Sequence, residues 1–224
     1  MLRSAVVGVI DYQAGNIRSI VNAVEHVGAS AIRVATPADI GQATHLLLPG
    51  VGAFGFCADR LRASGLLPAL MTWTLQEHRP MLGICVGMQL LADCSEELGR
   101  QQGLGWTGGT VRALEAAPPE IRVPHVGWNS VRFEEALGDF AAGSEADFYF
   151  DHSFALDAPT HGHRLAACTH GRPFTAALRY GLTEATQFHP ETRPTAGLRF
   201  PRGLGAQPGA AARAHDGAEA PRPT

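Results

Sequence analysis

Through the first half of the chain, continuous apolar runs alternate with apolar residues at helical spacing, and the alternation predicts strands that feed helices. Residues 4–10 are apolar after Ser4, the pattern of a strand covered on both faces. A polar turn follows with Asn16 as N-cap, and Ile17, Ile20, Val21, Val24 and Val27 recur at helical spacing up to Gly28. Residues 31–35 predict a second strand. Thr36-Pro37-Ala38-Asp39 then supplies a cap residue, a proline at the first helical position and an acid three places after the cap. Residues 45–48 predict a third strand that runs into Pro49-Gly50-Val51-Gly52. Residues 58–75 predict a helix interrupted near Gly65 and Pro68. Residues 80–91 read as a buried strand, a sharp turn and another helix. This order predicts an α/β fold, a doubly wound and mostly parallel sheet flanked by helices. Ligands bind such sheets at the carboxyl ends of the strands, so Asp11, Gly50 and Cys85 should share one rim.

Beyond Gly103 the texture changes. Short β-like runs at 109–114, 123–133, 147–152, 165–169, 174–180 and 184–188 are separated by Gly, Pro and His, which predicts antiparallel strands added to the sheet. Residues 204–224 are low in complexity and are expected to form a disordered tail behind a domain of residues 1–203.

Composition narrows the function classes. At 224 residues the chain suits one well-buried domain, and 45% hydrophobic with 17% charged residues is ordinary for a globular protein. A net charge of −3 leaves no electrostatic footprint for nucleic acid. No apolar run reaches the roughly 18 residues that span a bilayer, and the first residues lack the basic-then-apolar pattern of a leader, so a cytoplasmic location is expected. The 4 cysteines (Cys57, Cys85, Cys94, Cys168) are widely spaced and read as free thiols.

Candidate chemistry centres on Gly83-Ile84-Cys85-Val86-Gly87, the pattern of a nucleophile elbow with sulfur in place of oxygen. The flanking residues must be small because the chain reverses tightly, and the N-terminus of the following helix should face the sulfur and favour a thiolate. A nucleophilic cysteine needs a base, and the base an orienting partner. Gln187-Phe188-His189-Pro190-Glu191 offers both, since residues two apart in extended chain face the same way and would set His189 beside Glu191. Pro49-Gly50-Val51-Gly52 is a turn when read alone. Beside a Cys85, His189, Glu191 triad it becomes an oxyanion strand, with the N–H of Val86 as a further donor. His161, His163 and His170 lack a carboxylate or thiol at ligand spacing and read as a solvated loop, so neither a metal nor a cofactor is expected.

Together these segments resemble the triad-type, class I glutamine amidotransferases, over about residues 4–200. The resemblance rests also on Asp11-Tyr12-x-x-Gly15-Asn16, Pro124-His125-Val126-Gly127-Trp128-Asn129, Phe148-Tyr149-Phe150-Asp151-His152-Ser153 and Met88-Gln89-Leu90-Leu91. It implies a flavodoxin-like amidotransferase fold in which Cys85 attacks the side-chain amide of glutamine, His189 moves the proton and Glu191 orients His189. It further implies that Gln89, Glu97, His152 and Ser153 bind the amino-acid end of glutamine. Ammonia would pass to a partner (β/α)8 cyclase in a heterodimer, yielding imidazole glycerol phosphate and a purine precursor in histidine biosynthesis, with Tyr12, Asn16 and Trp128 at the interface. Trp128 taken alone reads equally as a core aromatic. Two departures stand out. Phe154 occupies a position where the family more often has tyrosine, and Pro201 would stop a closing helix begun at Thr195 after little more than a turn. A paralogue that feeds sugar amidination in surface-polysaccharide synthesis would keep every one of these motifs. A free-standing cysteine hydrolase would instead show the order nucleophile, acid, base, and a regulatory module without activity would have lost part of the triad.

Overall fold

A computed structural model describes residues 5–117 and 121–192. The closing helix expected from Thr195 and the tail expected from residue 204 lie outside the described residues.

The first part of the chain alternates as its apolar pattern predicts. Strand β1 (Val6–Ile10) leads into helix α1 (Ile17–His26), where the Asn16 side chain accepts from the Ser19 N–H at 3.3 Å. Next come β2 (Ser30–Val34) and the single turn α2 (Pro37–Ile40), where Asp39 reaches back to the Thr36 N–H at 2.8 Å. β3 (His45–Gly50) is followed by α3 (Phe54–Ala63), α4 (Leu67–Met71) and a π-type turn over Thr72–Gln76. β4 (Met81–Cys85) carries the elbow into α5 (Val86–Gln89).

The elbow helix is one turn long, shorter than the sequence suggests. Its end is taken over by an incoming loop: Leu104, Trp106 and Gly105 donate their N–H groups to the carbonyls of Leu90, Leu91 and Ala92. With so few aligned peptides the helix dipole is small, and local N–H groups rather than a macrodipole face the sulfur.

Small strands β5 (Cys94–Ser95), β6 (Gln101–Gln102) and β7 (Thr110–Ala113) come next. They precede the long strands β8 (His125–Phe133) and β9 (Glu145–His152) and the short β10 (Phe154–Leu156). The chain then forms β11 (His163–His170), β12 (Arg172–Tyr180) and β13 (Thr183–Thr186). The main sheet runs β2-β1-β3-β4-β13-β12-β11-β8-β9. Its β2-to-β13 half is parallel and the rest antiparallel. Two expectations are corrected here. The run at 184–188 is not an antiparallel addition to the older sheet. A tight turn through Gly181 makes β13 antiparallel to β12, and its other edge therefore meets β4 in parallel. The run at 109–114 belongs to a separate sheet, β10-β7-β5-β6, that the sequence pattern does not reveal, because two of its strands are only two residues long. His163 and His170 bracket β11 instead of forming a loop.

The antiparallel half curls until its last strand returns to the segment after β13, where the His189 N–H donates to the Tyr149 carbonyl at 3.0 Å. Phe133, Phe148, Phe150, Phe174 and Phe188 fill the space enclosed by this curl, all fully buried. A buried imidazole pair sits at one end, His125 Nδ1 to His152 Nε2 at 3.0 Å, with His125 stacked on Phe150 and His170.

The elbow imposes the strictest steric condition. A Cβ on Gly87 would lie 1.9 Å from the Leu48 carbonyl oxygen, a backbone atom that cannot swing aside. On Gly83 it would meet the Gly87 carbonyl oxygen at 3.0 Å. Gly87→Ala should therefore destabilise the fold by more than about 3 kcal/mol, read as a fall in thermal midpoint or as insoluble protein. The imidazole pair generates a second prediction. Burial first, and neighbouring rings after it, hold His125 at about 3, and burial outweighs the Phe154 hydrogen bond to hold His152 at about 4, against 6.5 ordinarily. The unfolded chain then binds more protons than the folded one, so stability present above pH 6.5 is lost as pH falls toward 4. The thermal midpoint of His125→Gln should fall less steeply over that window than that of the parent chain.

Candidate active site

Cys85 closes β4 and pairs in register with Gly50, the last residue of β3. Its backbone has φ 55° and ψ −114°, a conformation that side-chain-bearing residues rarely adopt and that turns the sulfur out of the strand. The residue is 5% exposed, at the floor of a cavity of about 710 Å³.

His189 and Glu191 reach this floor from beyond β13. His189 is bridged to Tyr149, and Glu191 lies on the 3-10 turn over Pro190–Thr192 that begins just after it; the turn, closed by Thr192 Oγ1 donating to the His189 carbonyl at 2.7 Å, sets the two side by side. His189 Nδ1 contacts Glu191 Oε1 at 2.8 Å, and the imidazole also interacts with the Cys85 sulfur. Because Nδ1 faces the carboxylate, it carries the hydrogen and Nε2 is left for the sulfur. Burial by itself disfavours the charged ring. The contacts with Cys85 and Glu191 outweigh it and raise His189 to about 10.

Gly50, Val51 and Gly52 line the cavity beside the sulfur, as does Val86. Two carbonyls of the Gly50 strand are held from beneath: Tyr12 Oη donates to Pro49 O at 2.6 Å and Cys57 Sγ to Val51 O at 3.5 Å. Burial pushes Tyr12 above its usual range and Cys57 to about 11, despite the hydrogen bond that lowers the thiol, so both stay protonated and able to donate. The N–H of Gly52 shares a planar peptide unit with the Val51 carbonyl and is thereby directed away from Cys57. Tyr12, expected at a partner surface, is instead 2% exposed; its hydroxyl holds the Pro49 carbonyl and its ring packs in the core.

The remaining expected residues divide by what their atoms already do. Gln89, Glu97, His152 and Ser153 all line the cavity. Gln89 Nε2 donates to Phe154 O at 2.8 Å and to Gln187 Oε1 at 2.9 Å, which leaves its own carbonyl oxygen for a ligand. Glu97 accepts from the Phe54 N–H at 2.6 Å, and its charge suits an ammonium group. Both ring nitrogens of His152 are engaged, with Phe154 O and with His125, so the ring has none left for a substrate. Asn16 lines the cavity from the first turn of α1. Trp128 lies 58% exposed on β8, beside Val126 at 56%.

Sequence reasoning overlooked Gln187, whose Nε2 lies 3.6 Å from the Cys85 sulfur, although the two-residue periodicity invoked for His189 also applies to Gln187. It overlooked Cys57 too, for which no local signal existed. Among the described residues no group of three or more His, Cys, Asp or Glu side chains is gathered as a metal ion requires.

Residues 8–201 match the family model described as "Glutamine amidotransferase class-I". A Rhodospirillum rubrum protein described as "Imidazole glycerol phosphate synthase subunit HisH" is 43% identical over 203 residues, spanning 87% of this chain and 95% of that one. An Arabidopsis thaliana protein described as "Imidazole glycerol phosphate synthase hisHF, chloroplastic" is 42% identical over 199 residues, which cover 87% of this chain and 33% of that longer protein. Among solved structures, one described as "Crystal structure of glutamine amidotransferase" superimposes with a TM-score of 0.66 at 21% identity, over 86% of this chain and 94% of the other, a likeness of fold. With a cysteine at a strained elbow beside an imidazole that a carboxylate orients, a family model matched over residues 8–201 and a relative 43% identical over 95% of its length, this chain belongs to the class-I glutamine amidotransferase family.

Proposed function

We propose that the chain hydrolyses glutamine to glutamate and ammonia, and hands the ammonia to a cyclase subunit that makes imidazole glycerol phosphate and a purine precursor in histidine biosynthesis. The observation that carries this reading is the contact of Cys85 with His189, itself held by Glu191, on the floor of a cavity walled by Gly50, Val51 and Gly52. The names of the relatives favour the histidine-pathway partner over a polysaccharide-pathway one.

In this mechanism the imidazolium of His189 stabilises negative charge on the Cys85 sulfur, which attacks the carboxamide carbon. The oxygen of the tetrahedral intermediate takes its hydrogen bonds from the N–H groups of Gly52 and Val86. His189 gives its proton to the departing nitrogen, ammonia leaves, and a γ-glutamyl thioester remains on Cys85. A water then loses its proton to His189, adds to the thioester and releases glutamate, returning the thiolate–imidazolium pair. Gln89 and Glu97 hold the α-ammonium group of the substrate, one by its carbonyl oxygen and one by its charge. His152 serves through the wall it builds with Ser153 and not through its ring. Reaction at a residue only 5% exposed strengthens the electrostatic contacts made there.

A partner fits the mouth of this cavity. Asn16, Val51 and Thr192 line the cavity, and Trp128, exposed on β8, meets Tyr149, which lines it too. The partner is a (β/α)8 cyclase in a heterodimer, and the location is cytoplasmic; among the described residues no helix is long and apolar enough to cross a membrane.

Mixing the chain with a cyclase subunit should raise glutamate release strongly, and unchanged release would refute the partner. Cys85→Ala should abolish glutamine-dependent synthesis by the complex and leave ammonia-dependent synthesis intact, because only the glutaminase step uses the sulfur. Trp128→Ala should weaken the complex by about 2 kcal/mol, measured by titration calorimetry, with the thermal midpoint of the isolated chain nearly unchanged.

A further inference from the structure

The sulfur of Cys85 has a second polar neighbour besides His189. Gln187 is fully buried, and its Nε2 lies 3.6 Å from Cys85 Sγ. Whether that amide presents its nitrogen or its oxygen to the sulfur decides what it does, and the surrounding hydrogen bonds leave one answer. Phe154 O is a backbone carbonyl and can only accept. The Gln89 amide must therefore turn its nitrogen toward it, at 2.8 Å, and the same nitrogen then reaches Gln187 at 2.9 Å. A nitrogen there requires an oxygen opposite, so Gln187 points Oε1 at Gln89 and its NH2 group at the sulfur.

The same carbonyl orders a second branch. His152 Nδ1 lies 2.9 Å from Phe154 O and must carry a hydrogen, which leaves Nε2 to accept from His125 Nδ1 at 3.0 Å. His125 Nε2 then accepts from the Asn129 amide at 3.1 Å, and that amide's second hydrogen goes to Thr169 O at 3.0 Å. Each bond of the two branches can run in one sense only, with both imidazoles neutral, so the directions of the amides and rings are not free to flip.

We propose that Gln187 is a fourth catalytic residue, whose side-chain amide donates a hydrogen bond to the Cys85 sulfur and stabilises it as a thiolate, oriented by the chain of bonds anchored at the Phe154 carbonyl. The proposal deepens the glutaminase reading and rests on it. It adds no bond-making step. Gln187 favours the sulfur anion before attack on the carboxamide and again when the sulfur leaves the thioester, and the proton still travels on His189. An amide donor suits this place better than a second cation would, because it stabilises the anion without competing with His189 for the proton.

The test compares the full chain with Gln187→Met and Gln187→Leu, which keep bulk and apolar character and lose the donor. Alkylation of Cys85 by iodoacetamide, followed on the peptide that carries it, reads thiolate reactivity without requiring turnover. Both variants should unfold within a few degrees of the parent and alkylate about tenfold to a hundredfold more slowly, the range of a hydrogen bond to a charged group. Glutamate release in the presence of the cyclase should fall in kcat by a similar factor, with KM for glutamine nearly constant. A folded variant of either kind that alkylates within twofold of the parent overturns the proposal. If the parent alkylates readily yet releases no glutamate with any cyclase, the glutaminase reading fails and the alkylation comparison still decides the role of Gln187 at the sulfur.

Discussion

Two backbones, the elbow after β4 and the end of β3, pass so close that no side chain fits between them. Gly50 pairs with Cys85, and no Cβ fits on Gly87 because the Leu48 carbonyl oxygen occupies its place at 1.9 Å. Gly50 is confined too, with the Gly87 nitrogen 2.7 Å from where its own Cβ would be. This contact places a strand rich in peptide N–H groups beside a sulfur that the strained Cys85 backbone turns outward. Without it the nucleophile and the oxyanion strand would belong to neighbouring strands with no shared site. The glycines are therefore steric conditions for the elbow, and the backbone strain at Cys85 is sustained by a buried parallel sheet on both sides.

The base arrives by a different route. β13 delivers it only because the antiparallel half of the sheet folds β12 back and sets β13 against β4. The curl of β11, β8 and β9 then brings Tyr149 round to hold the His189 N–H, which fixes the backbone of the base independently of its contact with Glu191. The aromatic filling of that curl, with Phe148 stacked on Phe188 at 4.0 Å, packs the returning strand against the segment that carries His189. Charge follows geometry here. His189 is drawn up by its contacts with Cys85 and Glu191 although it is buried, whereas His125 and His152, buried with no carboxylate in hydrogen-bond contact, are driven down.

The polar atoms of the site are ordered from a backbone carbonyl outward. Phe154 O accepts from Gln89 and from His152, and these two side chains pass a sense of direction to Gln187 and to His125. Tyr12 and Cys57 do the same beneath the oxyanion strand, each donating to one of its carbonyls. Side chains that family likeness assigns to the substrate or to a partner, such as His152 and Tyr12, turn out to hold the walls. Their hydrogen-bonding atoms are already engaged inside the chain.

What the sequence determined by itself was whatever depends on local covalent pattern. The apolar runs marked the strands, Asn16 and Asp39 marked helix starts, and the spacing of Gly83, Cys85 and Gly87 marked a reversal that only small flanking residues permit. The Cys85, His189, Glu191 set was legible because each lies in a motif whose backbone demands are local. Tertiary structure alone decided the parallel pairing of β13 with β4, the separate sheet around β7, the burial of Tyr12 and the contact of Gln187 with the sulfur. Pairing partners and the sense of an amide are settled by atoms distant in sequence. A strand offers two edges and an amide two faces, and no local pattern says which neighbour each will meet.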